Sequence, residues 1–236
     1  DRRRDGFHNI ETIFQTVSLA DELTFTETQS GIELTCSRPN LDAGPSNLVC
    51  RAAALLQAKP GCSRGATIYL EKNIPVAAGL AGGSGNAAAA LKGLNTLWDL
   101  GLSHKELSAL ALQLGSDVPY CLVGGTQGAT GRGEELFPLP PLPETWCVLV
   151  HPPVQVSTAA VYNSPDLVRN TERPSEGRTA RFRSALDALR KGDWEHAVFN
   201  RMEGPVFAQH PDLEVIKRRL LDAGCIAAAM SGSGPT

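Results

Sequence analysis

Glu71-Lys72-Asn73-Ile74-Pro75-Val76-Ala77-Ala78-Gly79-Leu80-Ala81-Gly82-Gly83-Ser84-Gly85-Asn86 is the stretch on which the fold of this chain turns. Before it, Ile68 and Leu70 alternate with Thr67 and Tyr69, the period of a half-buried strand. After it, Ala87, Ala90, Leu91, Leu94 and Trp98 fall on one face of a helix that begins inside the glycine run. Glycines allow backbone N–H groups to converge without Cβ obstruction. The first amides of the new helix are unpaired and sit at its positive dipole end. A strand, a glycine turn and a helix in this order make an anion site suited to nucleotide phosphates. Ser84 can donate to a phosphate oxygen or reach a Mg²⁺ ion. Two better-known phosphate motifs do not fit: Gly-x-Gly-x-x-Gly is absent, and no Lys stands at the helix start as a P-loop requires. A glycine-rich turn alone is equally well read as a plain flexible connection; four glycines between a strand and a strongly helical segment favour the anion site.

Outward from this turn, the 236 residues, net charge of −3 and 42% hydrophobic content describe an ordinary globular protein of one or two domains. No basic run offers a nucleic-acid surface. No apolar stretch approaches the ~18 residues of a membrane span. Asp1 to Gly6 lacks the apolar segment of a secretory leader. The six cysteines form no Cys-x-x-Cys pair and the five histidines have no metal-ligand spacing. Reduced thiols in a cytoplasmic protein are expected.

Leu23-Thr24-Phe25 and Ile32-Glu33-Leu34 flank Gln29-Ser30-Gly31 and read as a hairpin. Asn47 to Lys59 reads as a helix stopped by Pro60-Gly61, and Ser103-His104-Lys105-Glu106 is a capping box opening another that runs to about Leu114. An apolar segment, Val118 to Val123, precedes a glycine-rich stretch, and Pro138 to Pro143 is a connector between domains. Trp146 to Val150 is expected as a strand, Ser157 as a helix cap, and Asn163 to Arg181 as a mobile surface segment. Helices are expected at Ser184–Arg190, Trp194–Glu203 and Asp212–Ala223, then a strand from Cys225 to Met230. The mixture has no steady βαβ beat, so the class is α+β. Ser231 to Thr236 reads as a loop awaiting a strand and the start is equally bare, so the chain is expected to be a fragment.

PVAAGLAGGSGNAAAAL resembles the phosphate loop of the GHMP kinases (galactokinase, homoserine kinase, mevalonate kinase and relatives). RRRDGFHNIETIFQTVSLADELTF, PSNLVCRAAALL, LGSDVPYCLVGGTQGATGRGEEL and MSGSGPT resemble one branch over nearly the whole chain. The resemblance implies two α+β domains, an S5-like ATP-binding domain over residues 1–143 and an incomplete ferredoxin-like domain over 144–236. ATP and substrate would lie in the cleft between them. The implied reaction is ATP- and Mg²⁺-dependent phosphorylation of the 2-hydroxyl of a cytidine diphosphate-linked methylerythritol, in non-mevalonate isoprenoid precursor synthesis. It implies a monomer or homodimer.

By the same resemblance, Pro75 to Asn86 hold the phosphates and Asn47, Leu48 and Lys72 line the adenine pocket. Asp117, of Gly115-Ser116-Asp117-Val118-Pro119, would be the base that accepts the hydroxyl proton. Phe7 and His8 would serve the cytidine, with a second aromatic wall from Tyr162, Trp194 or Phe199. Position 85 is Gly where the family has Ser or Ala, a mild departure. The family pairs its Asp with a Lys in an Ala-Lys-Ile-Asn strand ahead of Arg-Arg-x-Asp-Gly-Tyr-His, which is not in this sequence. Without the resemblance the plainer readings stand: Asp117 a turn residue between helix and strand, Asn47 a helix cap, Leu48 core, Lys72 solvated. Another GHMP kinase, a nucleotide-binding module without catalysis, and a purely structural α+β domain are the alternatives.

Overall fold

The computed structural model describes residues 3, 6, 8–59, 62, 64–165, 167 and 178–236. Phe7 and most of the segment expected to be mobile, Asn163 to Arg181, lie outside the described residues.

Six strands and nine helices are formed among the described residues. The first half of the chain runs β1 (Thr12–Gln15), β2 (Glu22–Thr28), β3 (Ile32–Cys36), α1 (Leu48–Gln57), β4 (Gly65–Glu71), α2 (Gly82–Leu97), α3 (His104–Leu114) and α4 (Val118–Val123). Strands β5 (Thr126–Thr130) and β6 (Glu135–Pro138) follow. Then come α5 (Thr158–Tyr162), α6 (Ala180–Arg190), α7 (Trp194–Ala197), α8 (Glu203–Gln209) and α9 (Pro211–Asp222).

The expected hairpin between β2 and β3 is not made. β4 lies between them, antiparallel to β2 and parallel to β3, in the order β2-β4-β3. The Gln29-Ser30-Gly31 connection arches over the first residue of β4. A Cβ on Gly65 would lie 2.3 Å from the Ser30 carbonyl carbon, so only glycine admits that crossing. Helix α1 supplies the crossover that a parallel β3–β4 pair needs. The buried face of β4 (Ala66, Ile68, Leu70) meets α1 residues Val49, Ala52 and Leu56 and α2 residues Ala87, Leu91 and Leu94 in one core. Each fully buried Leu or Ile there contributes roughly 1.5–3 kcal/mol. Trp98 closes the end of this core, its indole N–H donating to the Gly65 carbonyl at 3.1 Å.

Helix α3 begins with the expected capping box between Ser103 and Glu106. Val118 to Val123 forms a helix rather than a strand after the Asp117 turn, with Pro119 in its first turn, where a missing N–H costs nothing. The second sheet has the order β1-β5-β6, antiparallel throughout.

Three expectations for the second half are corrected. Trp146 to Val150 forms no strand: no backbone pairs with it among the described residues, and Trp146 is fully exposed. Cys225 to Met230 likewise forms no strand, and the Met230 backbone is held by the side chains of Asn200 and Glu203. The single helix expected over Trp194–Glu203 is broken between α7 and α8. Asn200 there turns its side chain onto Met202 N–H and onto the backbone of residues 230 and 232. A smaller apolar cluster of Val161, Val206, Leu213 and Met230 holds this half together.

Candidate active site

Between β4 and α2 the backbone enters the left-handed region three times, at Ala77 (φ 55°), Gly79 (φ 75°) and Ala81 (φ 51°). Two of the three are alanines, for which that conformation costs roughly 1–2 kcal/mol each. Helix α2 starts at Ala81 without a side-chain cap, although Ser, Thr, Asp or Asn would stabilise it there. Its first amides are therefore left for a ligand or solvent. Strain together with an uncapped helix start is a pattern that belongs to binding sites.

These residues line a cleft of about 430 Å³. Pro75 to Ser84 and Asn86 line it along one side, and Asn47, Leu48 and Lys72 line it as well. Gly85 is not among its walls; nothing lies within 4 Å of where its Cβ would be, so the departure at this position leaves the packing undisturbed. Leu41, Asp42 and Ser46 also line the cleft and were not anticipated. Asp42 accepts hydrogen bonds from the Ser46 hydroxyl and from Gly44 N–H, and the two hold its carboxyl below the usual range, the hydroxyl more strongly. Asn47 caps α1 by accepting from Val49 N–H at 2.9 Å and donates to the Asp42 carbonyl at 2.6 Å, so cap and cleft wall are one residue.

Lys72 is not a solvated lysine. Its ammonium donates to Asp21 Oδ2 and to the Ile74 carbonyl, each at 2.6 Å. The two side chains are 4% and 1% exposed. Asp21 Oδ1 accepts from Asn73 N–H (2.8 Å) and Ile74 N–H (2.7 Å), fixing the chain where it leaves β4. A Cβ on Gly82 would lie 3.1 Å from the ammonium, so the buried charge sits directly against the start of α2. Asp21 lies in a segment whose sequence carries no signal for this role.

The loop Ser231 to Thr236 packs onto the glycine turn. Ser231 Oγ donates to the Gly79 carbonyl at 2.9 Å, and Thr236 N–H donates to the Ala78 carbonyl at 3.3 Å. A Cβ on Gly79 would fall 2.3 Å from the Ser231 carbonyl oxygen.

Asp117 and His8 do not line this cleft; they belong to a second cluster. Asp117 stands at the start of α4, which packs against α2. Its carboxylate takes no hydrogen bond among the described residues, and burial pushes its pKa above the ordinary value. Cys121 and Tyr162 are raised chiefly by burial and secondarily by the Asp117 charge, the thiol to about 12. The Tyr162 ring stacks on His8 at 5.3 Å between centroids. Of the three aromatic candidates, Tyr162 is the one that meets His8; Phe199 instead lies under the Arg181 guanidinium, and Trp194 opens α7. Helix α5 connects the two clusters: Tyr162 ends it, and Thr158 at its start shares a 2.7 Å hydroxyl contact with Ser233. Gly131 to Glu134 forms a turn whose Gly131 carbonyl accepts from Ile10 N–H.

No group of three or more His, Cys, Asp or Glu side chains among the described residues could hold a metal ion. No described helix is long and apolar enough to cross a membrane.

Residues 47–125 match the GHMP kinases N terminal domain and residues 182–236 the GHMP kinases C terminal model. The chain belongs to the GHMP kinase family. This GHMP kinase is 48% identical, over 99% of its length and 82% of the relative's, to a protein of Moorella thermoacetica named 4-diphosphocytidyl-2-C-methyl-D-erythritol kinase. It is 45% identical to the protein of that name from Enterococcus faecalis, over 100% of its own length and 82% of the relative's. A crystal structure of 4-(cytidine 5'-diphospho)-2C-methyl-D-erythritol kinase superposes with a TM-score of 0.78 at 36% identity, covering 99% of this chain and 81% of that one. Homoserine kinase from Cytophaga hutchinsonii shares the fold, with a TM-score of 0.65 at 21% identity over 91% of this chain and 74% of that one. This GHMP kinase is therefore a small-molecule kinase with the family's N- and C-terminal domains.

Proposed function

We propose that this GHMP kinase transfers the γ-phosphoryl group of ATP to the 2-hydroxyl of 4-diphosphocytidyl-2-C-methyl-D-erythritol, in the non-mevalonate route to isoprenoid precursors. The observation that carries the proposal is 48% identity, over essentially the whole chain, to a relative named for that substrate.

The glycine turn and the uncapped start of α2 hold the ATP phosphates, through backbone N–H groups and the helix dipole. Asn47, Leu48 and Lys72 line the adenine end of the same cleft. Lys72 acts there with its charge already balanced by Asp21. Asp117 accepts the proton of the attacking hydroxyl; the new oxygen–phosphorus bond forms as the bond to ADP breaks. Burial favours this role, since it raises the carboxyl pKa toward neutral pH and so strengthens the base. The stacked His8 and Tyr162 rings together form one wall for the cytidine, with Phe7, outside the described residues, adding a further stacking face. The Ser84 hydroxyl lines the cleft and makes no hydrogen bond among the described residues, so it fits a Mg²⁺ ion carried in on the phosphates. When bound, that ion neutralises charge on the β- and γ-phosphate oxygens.

We assign residues 1–143 and 144–236 to the two domains. Among the described residues, the larger apolar core draws on residues up to Cys121 and Leu122, and the smaller one on residues from Val156 onward. Six free thiols fit a cytoplasmic enzyme.

The test is a substrate panel with ATP: the cytidyl compound, homoserine and mevalonate, with phosphorylated product followed by ³¹P NMR. Turnover of the cytidyl compound alone is expected. Preference for an acceptor lacking the nucleotide would overturn the assignment.

A further inference from the structure

We infer that Asn200 is a positioning residue for the nucleotide cleft, acting through the loop Ser231 to Thr236. This rests on the reading of the cleft as the ATP site. Asn200 stands in the break between α7 and α8. Its Nδ2 donates to the Met230 carbonyl at 2.7 Å and to the Gly232 carbonyl at 2.6 Å. Its Oδ1 accepts from Met202 N–H at 2.8 Å. Glu203 adds a third tie, Oε1 accepting from Met230 N–H at 2.9 Å, and is itself held by Lys217 at 2.6 Å.

The carbonyls on both sides of Ser231 are thus held by one amide. Ser231, between them, turns its hydroxyl onto the Gly79 carbonyl and sets its own carbonyl against the Gly79 α-carbon. A loop of Ser and Gly, with Gly232 (φ 55°) and Gly234 (φ 91°) in the left-handed region, has little stiffness of its own. The loop is closed on itself by Ser231 N–H to the Thr236 carbonyl (2.7 Å) and Gly234 N–H to the Ser231 carbonyl (2.9 Å), and Asn200 is a side chain that fixes where this closed loop sits, gripping its backbone twice. Gly79 belongs to the cleft wall, so an error in the loop becomes an error in where the turn's amides point. Phosphate binding by fixed amides is sensitive to such displacement.

The experiment is a double-mutant cycle on ATP affinity, measured by calorimetry with Asn200→Asp, Ser231→Ala and the pair. Asn200→Asp keeps the oxygen that serves Met202 and removes both donors. ATP affinity is expected to fall about tenfold with Asn200→Asp, the scale of two lost hydrogen bonds. Ser231→Ala is expected to weaken binding in the same direction, and the double variant to lie within about twofold of the weaker single, because both act through one loop. Asn200→Asp binding ATP as wild type does, or two effects that multiply, would overturn the inference. Should Asn200→Asp not fold, Asn200→Ser, whose hydroxyl reaches one carbonyl at most, takes its place under the same criteria. Wild-type protein that binds no ATP would overturn the cleft reading itself, which separates the two failures.

Discussion

The Lys72 ammonium lies 2.6 Å from Asp21 Oδ2, and the pair is sealed beneath the start of α2. Asp21 also takes the N–H groups of Asn73 and Ile74, so one carboxylate satisfies three donors. Removing it strands a buried charge. Asp21→Ala should therefore cost about 3–5 kcal/mol in urea denaturation, whereas removing both charges with Asp21→Asn and Lys72→Met should cost clearly less. Equal losses would mean the pair is better solvated than its geometry implies.

At Gly79 two constraints coincide, a φ of 75° and the Ser231 carbonyl where a Cβ would stand. Gly79→Ala has to push the C-terminal loop away, and at least a tenfold rise in KM for ATP is expected from steady-state kinetics, about 1.4 kcal/mol of lost binding. Gly85 sits in the first turns of α2 with open space around it. Gly85→Ala should stabilise the fold by up to ~1 kcal/mol, the ordinary helix-propensity difference, read as a raised Tm.

Asp117 has a raised pKa because burial removes its carboxyl from water. The acid limb of kcat/KM should therefore lie above the ordinary carboxylate value and should vanish in Asp117→Asn, which is expected to lose about 10²–10⁴ in rate. The sign for stability runs the other way. A carboxyl whose folded pKa exceeds its unfolded one opposes folding once ionised, so Asp117→Asn should melt higher than wild type at pH 7. That advantage should shrink as pH falls toward 4. A lower melting point at neutral pH would show that the ionised carboxylate stabilises the fold.

Thiol labelling probes the same region. Cys147 is exposed, whereas the Cys121 thiol is pushed up to about 12 by burial and by Asp117. Iodoacetamide at pH 8 should modify Cys147 first and Cys121 last, as followed by peptide mass spectrometry. Early modification of Cys121 would mean that α4 opens readily.

Much of the site was legible because it rests on local backbone chemistry. Glycines at 79, 82 and 83 after an alternating strand announce an amide-lined turn, and Ser103 with Glu106 announces a helix start. The Asn47 cap and the buried stripe of α2 follow from short-range spacing in the same way. What stayed hidden depends on partners distant in sequence. Strands β2 and β3 look like a hairpin until β4 enters between them, since alternation fixes which residues face the core but not which strand pairs with which. Lys72 reads as solvated until Asp21, 51 residues away, is folded against it. Trp146 to Val150 has the pattern of a strand but no paired ladder among the described residues.

Residue order alone therefore determined the glycine turn, the starts of α1 and α3 and the α+β class, because each depends on groups within a few positions of one another. Tertiary structure alone decided the sheet order, the buried Asp21–Lys72 pair, the choice of Tyr162 to face His8, and the grip of Asn200 on the C-terminal loop. Hydrogen bonds and desolvation act through space, and no local pattern encodes which distant group will arrive.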